Sequence, residues 1–227
     1  MENIDAIAAL QDPVRRRLYE YVAAQGREVG RNEAAEATGV ARTLAAHHLD
    51  RLTEAGLLDS GSRRLTGRSG PGAGRPAKVY TRAAVERSVS LPARDYRTAA
   101  ELLAEAAEEA GLDTGLFASA RRRGEALRDS AAPCGGFDEV MEVLAARGYE
   151  PYLEGDLEEH ADAGPRVVRM RNCPFHSVAE RFPPLVCGMN LALLEGLIGE
   201  DGPVRARMDA RPGECCVVLE DSKNNEH

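Results

Sequence analysis

Four of the five cysteines of this 227-residue chain lie in its last quarter, close to a histidine. Cys173 precedes His176 by three residues, Cys187 follows, and Cys215 and Cys216 are adjacent. Thiolates and imidazoles are soft or borderline ligands, and four of them make a tetrahedral zinc set. The spacing therefore predicts a metal site formed by Cys173, His176, Cys187 and one of Cys215 and Cys216, since adjacent strand residues face opposite sides.

The same thiols have a simpler interpretation, because unpaired cysteine is among the residue types most often buried in a core. The fifth cysteine, Cys134, lies beside Pro133 and has no partner at a useful spacing, so we expect it to be incidental. An odd number of cysteines and the absence of a basic, apolar leader after Met1 argue against an exported disulfide framework. We expect a cytoplasmic protein, and no apolar run is long enough for a membrane helix.

Charge is divided unevenly along the chain, although the net charge is −8. Residues 1–92 carry fourteen basic against eleven acidic side chains, and within residues 42–82 the count is eight against three. The remaining residues are strongly acidic. A local basic segment is the pattern that a phosphate backbone selects, although it is also compatible with an ordinary solvated face.

The basic segment follows a pattern of three short helices. Asp12 and Pro13 form a helix-start signal before apolar residues at helical spacing, and 32–38 predicts a second helix that ends at Gly39. Residues 41–55 predict a third helix with five inward-facing residues: Leu44, Ala45, His48, Leu49 and Leu52. We expect His48 to pack in the core and the neighbouring His47 to face outward. Helix, glycine turn and helix is the order of a helix-turn-helix.

Two short strands, 57–60 and 78–81, enclose a basic, glycine-rich loop and predict a wing. A helix fits the major groove of DNA, and an Arg before Pro can enter a narrow minor groove. The predicted contacts with double-stranded DNA come from the third helix and the wing: Arg42, Thr43, Ala46, His47, Arg51, Arg75 and Lys78.

The span from Asp12 to Tyr80 resembles ArsR-type winged helix-turn-helix regulators. The resemblance is carried by His47-His48-Leu49, by Leu52 and by the run 55–58 (AGLL). It covers about a third of the chain. It implies a DNA-binding transcriptional regulator, in agreement with the helix lengths, the glycine turn and the wing. A winged helix that serves as a protein–protein module remains the alternative for this segment.

The remaining segments predict an α+β chain in four parts. Residues 1–92 are the winged helix-turn-helix, and 93–132 are a helical connector that we expect to form a homodimer. Residues 133–221 alternate between helix and strand patterns and predict a compact α+β sensor domain, and 222–227 are expected to be a disordered tail.

The C-terminal cysteines lie in motifs that resemble SufR-type regulators, which join a winged helix to a domain that binds an iron–sulfur cluster. The motifs are 172–174 (NCP), 181–187 (RFPPLVC) and 213–216 (GECC). The resemblance implies that Cys173, Cys187 and Cys215 or Cys216 are ligands. Some members of that family carry another cysteine that residues 188–214 lack, and His176 favours zinc. An iron–sulfur cluster and zinc therefore both remain open.

These observations predict a homodimeric transcriptional regulator, a repressor by expectation, that binds DNA and senses a metal or an iron–sulfur cluster. The alternative is a regulator of the same kind that binds a small organic effector, with a structural zinc or buried thiols in its C-terminal domain. We expect no enzyme, because the sequence has no glycine-rich phosphate loop and no nucleophile elbow.

Overall fold

The computed structural model describes residues 2–63, 76–128, 132–154 and 166–222. These residues form a mixed helix and sheet structure that divides into two compact units, 1–94 and 95–227. The segment 93–132, which the sequence suggested as a separate connector, contributes its helices to the second unit.

The first unit contains a helix-turn-helix followed by two long antiparallel strands. Its elements are α1 (Glu2–Ala9), α2 (Pro13–Gln25), β1 (Val29–Gly30), α3 (Arg31–Thr38), α4 (Arg42–Glu54), β2 (Leu58–Arg63) and β3 (Ala77–Arg82). The Asp12 carboxylate caps α2 by accepting from the backbone N–H groups of Val14 and Arg15, at 2.8 and 3.0 Å. Gly39 ends α3 in the left-handed region, at φ 68°. The strand order is β1-β3-β2.

The helices of the first unit bury their apolar stripes against the small sheet. Leu18, Leu49 and Tyr80 lie in this core. His48 is buried and His47 is exposed, as the sequence predicted. The expectation for Leu44 was wrong, because its side chain is 44% exposed. The buried stripe of α4 begins one residue later, at Ala45.

The second unit packs helices on one four-stranded antiparallel sheet of order β4-β5-β7-β6. Its elements are α5 (Tyr96–Glu109), α6 (Asp113–Leu127), α7 (Phe137–Ala145), β4 (Pro151–Glu154), β5 (Val167–Met170), α8 (His176–Ala179), α9 (Pro183–Ile198), β6 (Val204–Met208) and β7 (Val217–Asp221). The apolar helix α9 contributes Leu194 and Leu197 to the core, together with Val168 and Leu219 of the sheet.

Helices α6 and α9 meet at a crossing lined by two glycines, Gly124 and Gly196. A Cβ atom on Gly124 would lie 2.1 Å from the carbonyl oxygen of Leu193, and one on Gly196 would lie 2.1 Å from that of Arg121. Any larger residue would therefore collide with backbone, not with a movable side chain. This contact fixes α9, which carries one of the candidate ligands, against α6.

Candidate DNA-binding surface and cysteine cluster

The exposed N-terminal part of α4 carries most of the predicted DNA-contacting residues. Arg42, Thr43 and His47 are exposed, and Ala46 is partly buried. Arg51 lies one turn further along, where its guanidinium contacts the Glu54 carboxylate at 2.8 Å. This face presents cationic and hydrogen-bonding groups at the end of the helix that reads base edges in helix-turn-helix proteins.

The wing residue Lys78 is already engaged within the first unit. Its Nζ donates to Asp50 Oδ1 at 2.7 Å, and the Tyr80 hydroxyl donates to the same oxygen at 2.6 Å. Arg31 Nε in turn donates to the Tyr80 hydroxyl at 3.0 Å. Asp50 therefore connects α4 to β3, a role that the sequence analysis missed. Arg75, the other predicted wing contact, lies outside the described residues.

Burial and hydrogen bonding change the pKa of the Asp50 carboxyl group in opposite directions. Partial burial raises its pKa, but the hydrogen bonds from Lys78 and Tyr80 outweigh burial, and the pKa lies below its ordinary value. The carboxylate is thus the charged acceptor at the centre of this network. Its position holds the helix that carries Arg42 against the strand that leads out of the wing.

The structure brings four cysteines of the second unit together. Cys173 follows β5, Cys187 lies in the second turn of α9, and Cys215 and Cys216 immediately precede β7. The Cys215 sulfur accepts hydrogen bonds from the Cys173 and Cys216 thiols, and Cys216 also hydrogen-bonds with Cys187. Both members of the adjacent pair join the cluster because the strand begins at Val217, so the alternation of strand side chains does not separate them.

Hydrogen bonds from two neighbouring thiols lower the pKa of the Cys215 thiol. Donation from Cys173 and Cys216 lowers its pKa, against the opposing effect of burial. The pKa values of Cys173 and Cys216 are raised, because each donates to Cys215 and because each is partly buried. Hydrogen bonding from neighbouring thiols therefore favours the charged form of the Cys215 thiol.

His176 and Cys134 differ from these thiols in their surroundings, although the backbone N–H of His176 donates to the Cys173 carbonyl at 3.0 Å. The His176 imidazole is 65% exposed, and its Nε2 lies 3.3 Å from Glu180 Oε1. Cys134 packs in the core, where its backbone N–H donates to the carbonyl of Ile198 at 2.9 Å. Burial raises the pKa of the Cys134 thiol. The four predicted cysteines thus interact with one another, and the ligand role of His176 stays a prediction.

A buried amide supports the cluster from α9. Asn190 is 1% exposed, its Nδ2 donates to Cys215 Sγ at 3.4 Å, and its Oδ1 accepts from the Tyr149 hydroxyl at 2.5 Å. Burial raises the pKa of Tyr149 and keeps it a neutral donor. The sequence held a signal for this residue, since Asn190 is the one amide in an otherwise apolar run from 185 to 194.

The donor atoms of the cluster, four cysteine sulfurs, are of the type that a thiophilic metal prefers. Four sulfurs from three chain segments match the ligand number of a zinc site or of an iron–sulfur cluster. Among the described residues, however, no three or more His, Cys, Asp or Glu side chains surround a common point closely enough to hold an ion. The thiols instead share protons along a chain of hydrogen bonds, and metal binding would require these protons to leave.

Comparison with known proteins gives one match. A family model described as a helix-turn-helix domain matches residues 10–61, which span α2, α3, α4 and the start of β2. No curated protein and no solved structure gives a significant match to the chain. No helix in the described residues has the length and apolar character of a membrane span. The match supports a helix-turn-helix domain in the first unit, and domains of this kind typically bind DNA.

Proposed function

We propose that this chain is a homodimeric transcriptional repressor that binds double-stranded DNA through α4 and the wing, and that metal or cluster binding by its four clustered cysteines controls this binding. The DNA-binding part is supported by the family match together with the exposed position of Arg42, Thr43 and His47. The sensing part is carried by one observation, the convergence of four cysteine thiols from three separated segments.

DNA recognition follows from the geometry of α4. The N-terminal part of a recognition helix reaches base edges in the major groove, where an Arg can form a bidentate contact with guanine. Arg42 and His47 are the exposed donors at that end of α4. Asp50 does not contact DNA in this proposal but holds α4 against β3 through Lys78.

The test of DNA recognition starts by selecting preferred sequences from random duplex DNA with the full chain. Arg42→Ala should then weaken binding by about 1 to 3 kcal/mol, with loss of preference at one base position. Arg17→Ala, which removes an equal charge from an exposed position of α2, serves as the matched control. Equal effects of the two variants at fixed salt would show that α4 does not read the bases.

The group bound by the cluster would be held by Cys173, Cys187, Cys215 and Cys216. Zinc would crosslink the three chain segments that carry these cysteines as a structural ion. An iron–sulfur cluster would make a crosslink that is sensitive to oxidation. Asn190 donates to Cys215 and orients its sulfur, and Tyr149 fixes the Asn190 amide. Loss of the crosslink would free three segments of the second unit, and a coupling of about 1 to 3 kcal/mol to DNA affinity is sufficient for control.

The cluster is tested by purifying the full chain without oxygen and measuring iron, sulfide and zinc. Cys187→Ser should lose the bound metal, whereas Cys134→Ser, the buried thiol outside the cluster, should keep it. His176→Ala should also keep full occupancy, because its imidazole faces Glu180. Native metal content in every single Cys→Ser variant, or no metal in the wild-type protein, would leave the buried-thiol interpretation and favour an organic effector.

A further inference from the structure

Leu44 lies in the exposed N-terminal part of α4, and its side chain is 44% exposed. Residues 10–61 are all described, and no other large apolar side chain among them is exposed. Leu44 also takes no part in the apolar cluster that contains Leu49 and Leu52. A single exposed leucine is ordinary on most protein surfaces. This leucine, however, lies at the end of a helix that reads base edges in helix-turn-helix proteins.

The neighbours of Leu44 on α4 are polar residues that face outward. His47 is three residues further along and Arg51 is seven, so at about 100° per residue both lie within about 60° of Leu44 around the helix. Both side chains are exposed. The side chains of a helix lean toward its N-terminus, which brings Leu44 toward the end that carries Arg42 and Thr43. Leu44 therefore borders the surface that we propose to enter the major groove.

The major groove presents one apolar group among its base edges, the C5 methyl of thymine. A leucine side chain has no hydrogen-bond donor or acceptor, so it gains nothing from the polar edges of the other bases. Against cytosine it would cover the N4 amino group without accepting its hydrogen bond, which costs free energy. Packing against a methyl group instead removes apolar surface of both partners from water. The base that best complements Leu44 is therefore thymine.

We propose that Leu44 determines specificity by packing on the C5 methyl of a thymine, a contact that rests on the proposed binding of DNA by α4. Arg42 and His47 read hydrogen-bonding groups of the bases, whereas Leu44 reads a methyl group. This contact selects thymine over cytosine at one position of the bound site. It adds a base that the polar residues of α4 do not define.

Uracil is the probe for this contact, because it pairs with adenine as thymine does and differs from thymine only by lacking the C5 methyl. The preferred duplex is first selected from random DNA with the full chain. Each thymine of that duplex is then replaced singly by deoxyuridine, and affinity is measured at fixed salt. Replacement of the contacted thymine should weaken wild-type binding about fourfold, the effect of one buried methyl group.

Variants of Leu44 assign this loss of affinity to its side chain. Leu44→Ala should bind the thymine duplex and the uracil duplex with nearly equal affinity. Leu44→Met, which keeps an apolar side chain of similar volume, should keep the fourfold effect of uracil. Ile7→Ala is the matched control, because it shortens an apolar side chain of α1 that is 43% exposed, and it should also keep this effect. Circular dichroism checks that each variant is folded.

The possible outcomes separate the methyl contact from DNA binding itself. Failure of the full chain to select any duplex sequence would overturn the proposed function together with this contact. A selected duplex whose affinity is unchanged by uracil at every thymine would overturn the contact of Leu44 alone. A fourfold effect of uracil that persists in Leu44→Ala, or that is lost equally in Ile7→Ala, would do the same. An effect that is lost only in Leu44→Ala would support the contact.

Discussion

Replacing Gly124 by alanine should destabilise the second unit, although alanine is the better helix former. The new Cβ atom would lie 2.1 Å from the Leu193 carbonyl oxygen and 2.7 Å from the Leu197 nitrogen. Real Cβ atoms do not approach within 3.0 Å of such atoms, so α6 and α9 must separate by almost 1 Å at their crossing.

The magnitude follows from two opposing effects. Alanine gains up to about 1 kcal/mol over glycine within a helix. Overpacking of a tight core contact costs typically about 1 to 3 kcal/mol and more when backbone must move. Gly115→Ala provides the matched comparison, because it lies in the same helix and its Cβ would meet nothing within 4 Å. Both variants gain the helix preference of alanine, so they should differ by the overpacking cost alone, about 1 to 3 kcal/mol.

Urea unfolding followed by circular dichroism measures this difference. Gly115→Ala should unfold at the same or a higher urea concentration than the wild-type protein, and Gly124→Ala at a lower one. Equal midpoints for the two variants would refute the close backbone contact between α6 and α9. The same result would also remove the reason for assigning α6 to the packed core of the second unit.

Two further predictions concern polar groups. Asn190→Leu should cost about 1 to 3 kcal/mol of unfolding free energy by leaving the Tyr149 hydroxyl buried without its acceptor, and adding Tyr149→Phe should recover part of this loss in urea unfolding. Because the pKa of Asp50 is lowered on folding, its pairing with Lys78 stabilises the first unit above the unfolded pKa, near 3.9, and is lost as pH falls further. The free energy of unfolding should therefore differ between wild type and Asp50→Asn more at pH 6 than at pH 3, by less than about 1 kcal/mol for so exposed a pair.

Local signals predicted the helices of the first unit well. Asp12 and Pro13 mark the start of α2, and Gly39 marks the end of α3, because caps and left-handed turns depend on residues close in sequence. The sequence analysis missed α1 and β1. The two-residue strand β1 exists only through its pairing of Val29 with Tyr80, fifty-one positions away, and no local pattern reports such a contact.

The ligand set was predicted in part. The spacing identified Cys173, Cys187 and the terminal pair, whereas the ligand role of His176 stays a prediction, since its imidazole is exposed and lies beside Glu180. The terminal pair depended on where β7 begins. A one-residue difference in that boundary decides whether Cys215 and Cys216 point apart or both enter the cluster, and strand ends are the least certain part of a sequence-based assignment.

Because Cys134 is buried, the labelling of its thiol can serve as a probe of local unfolding in the second unit. Cys134 lies in the core, with a raised thiol pKa, while the other four cysteines share hydrogen bonds with one another. Alkylation requires an accessible thiolate, so Cys134 reacts only when the core around it opens. The rate at which iodoacetamide labels this one position, followed by mass spectrometry, therefore records how often the sheet and α7 come apart, with or without a ligand on the cluster.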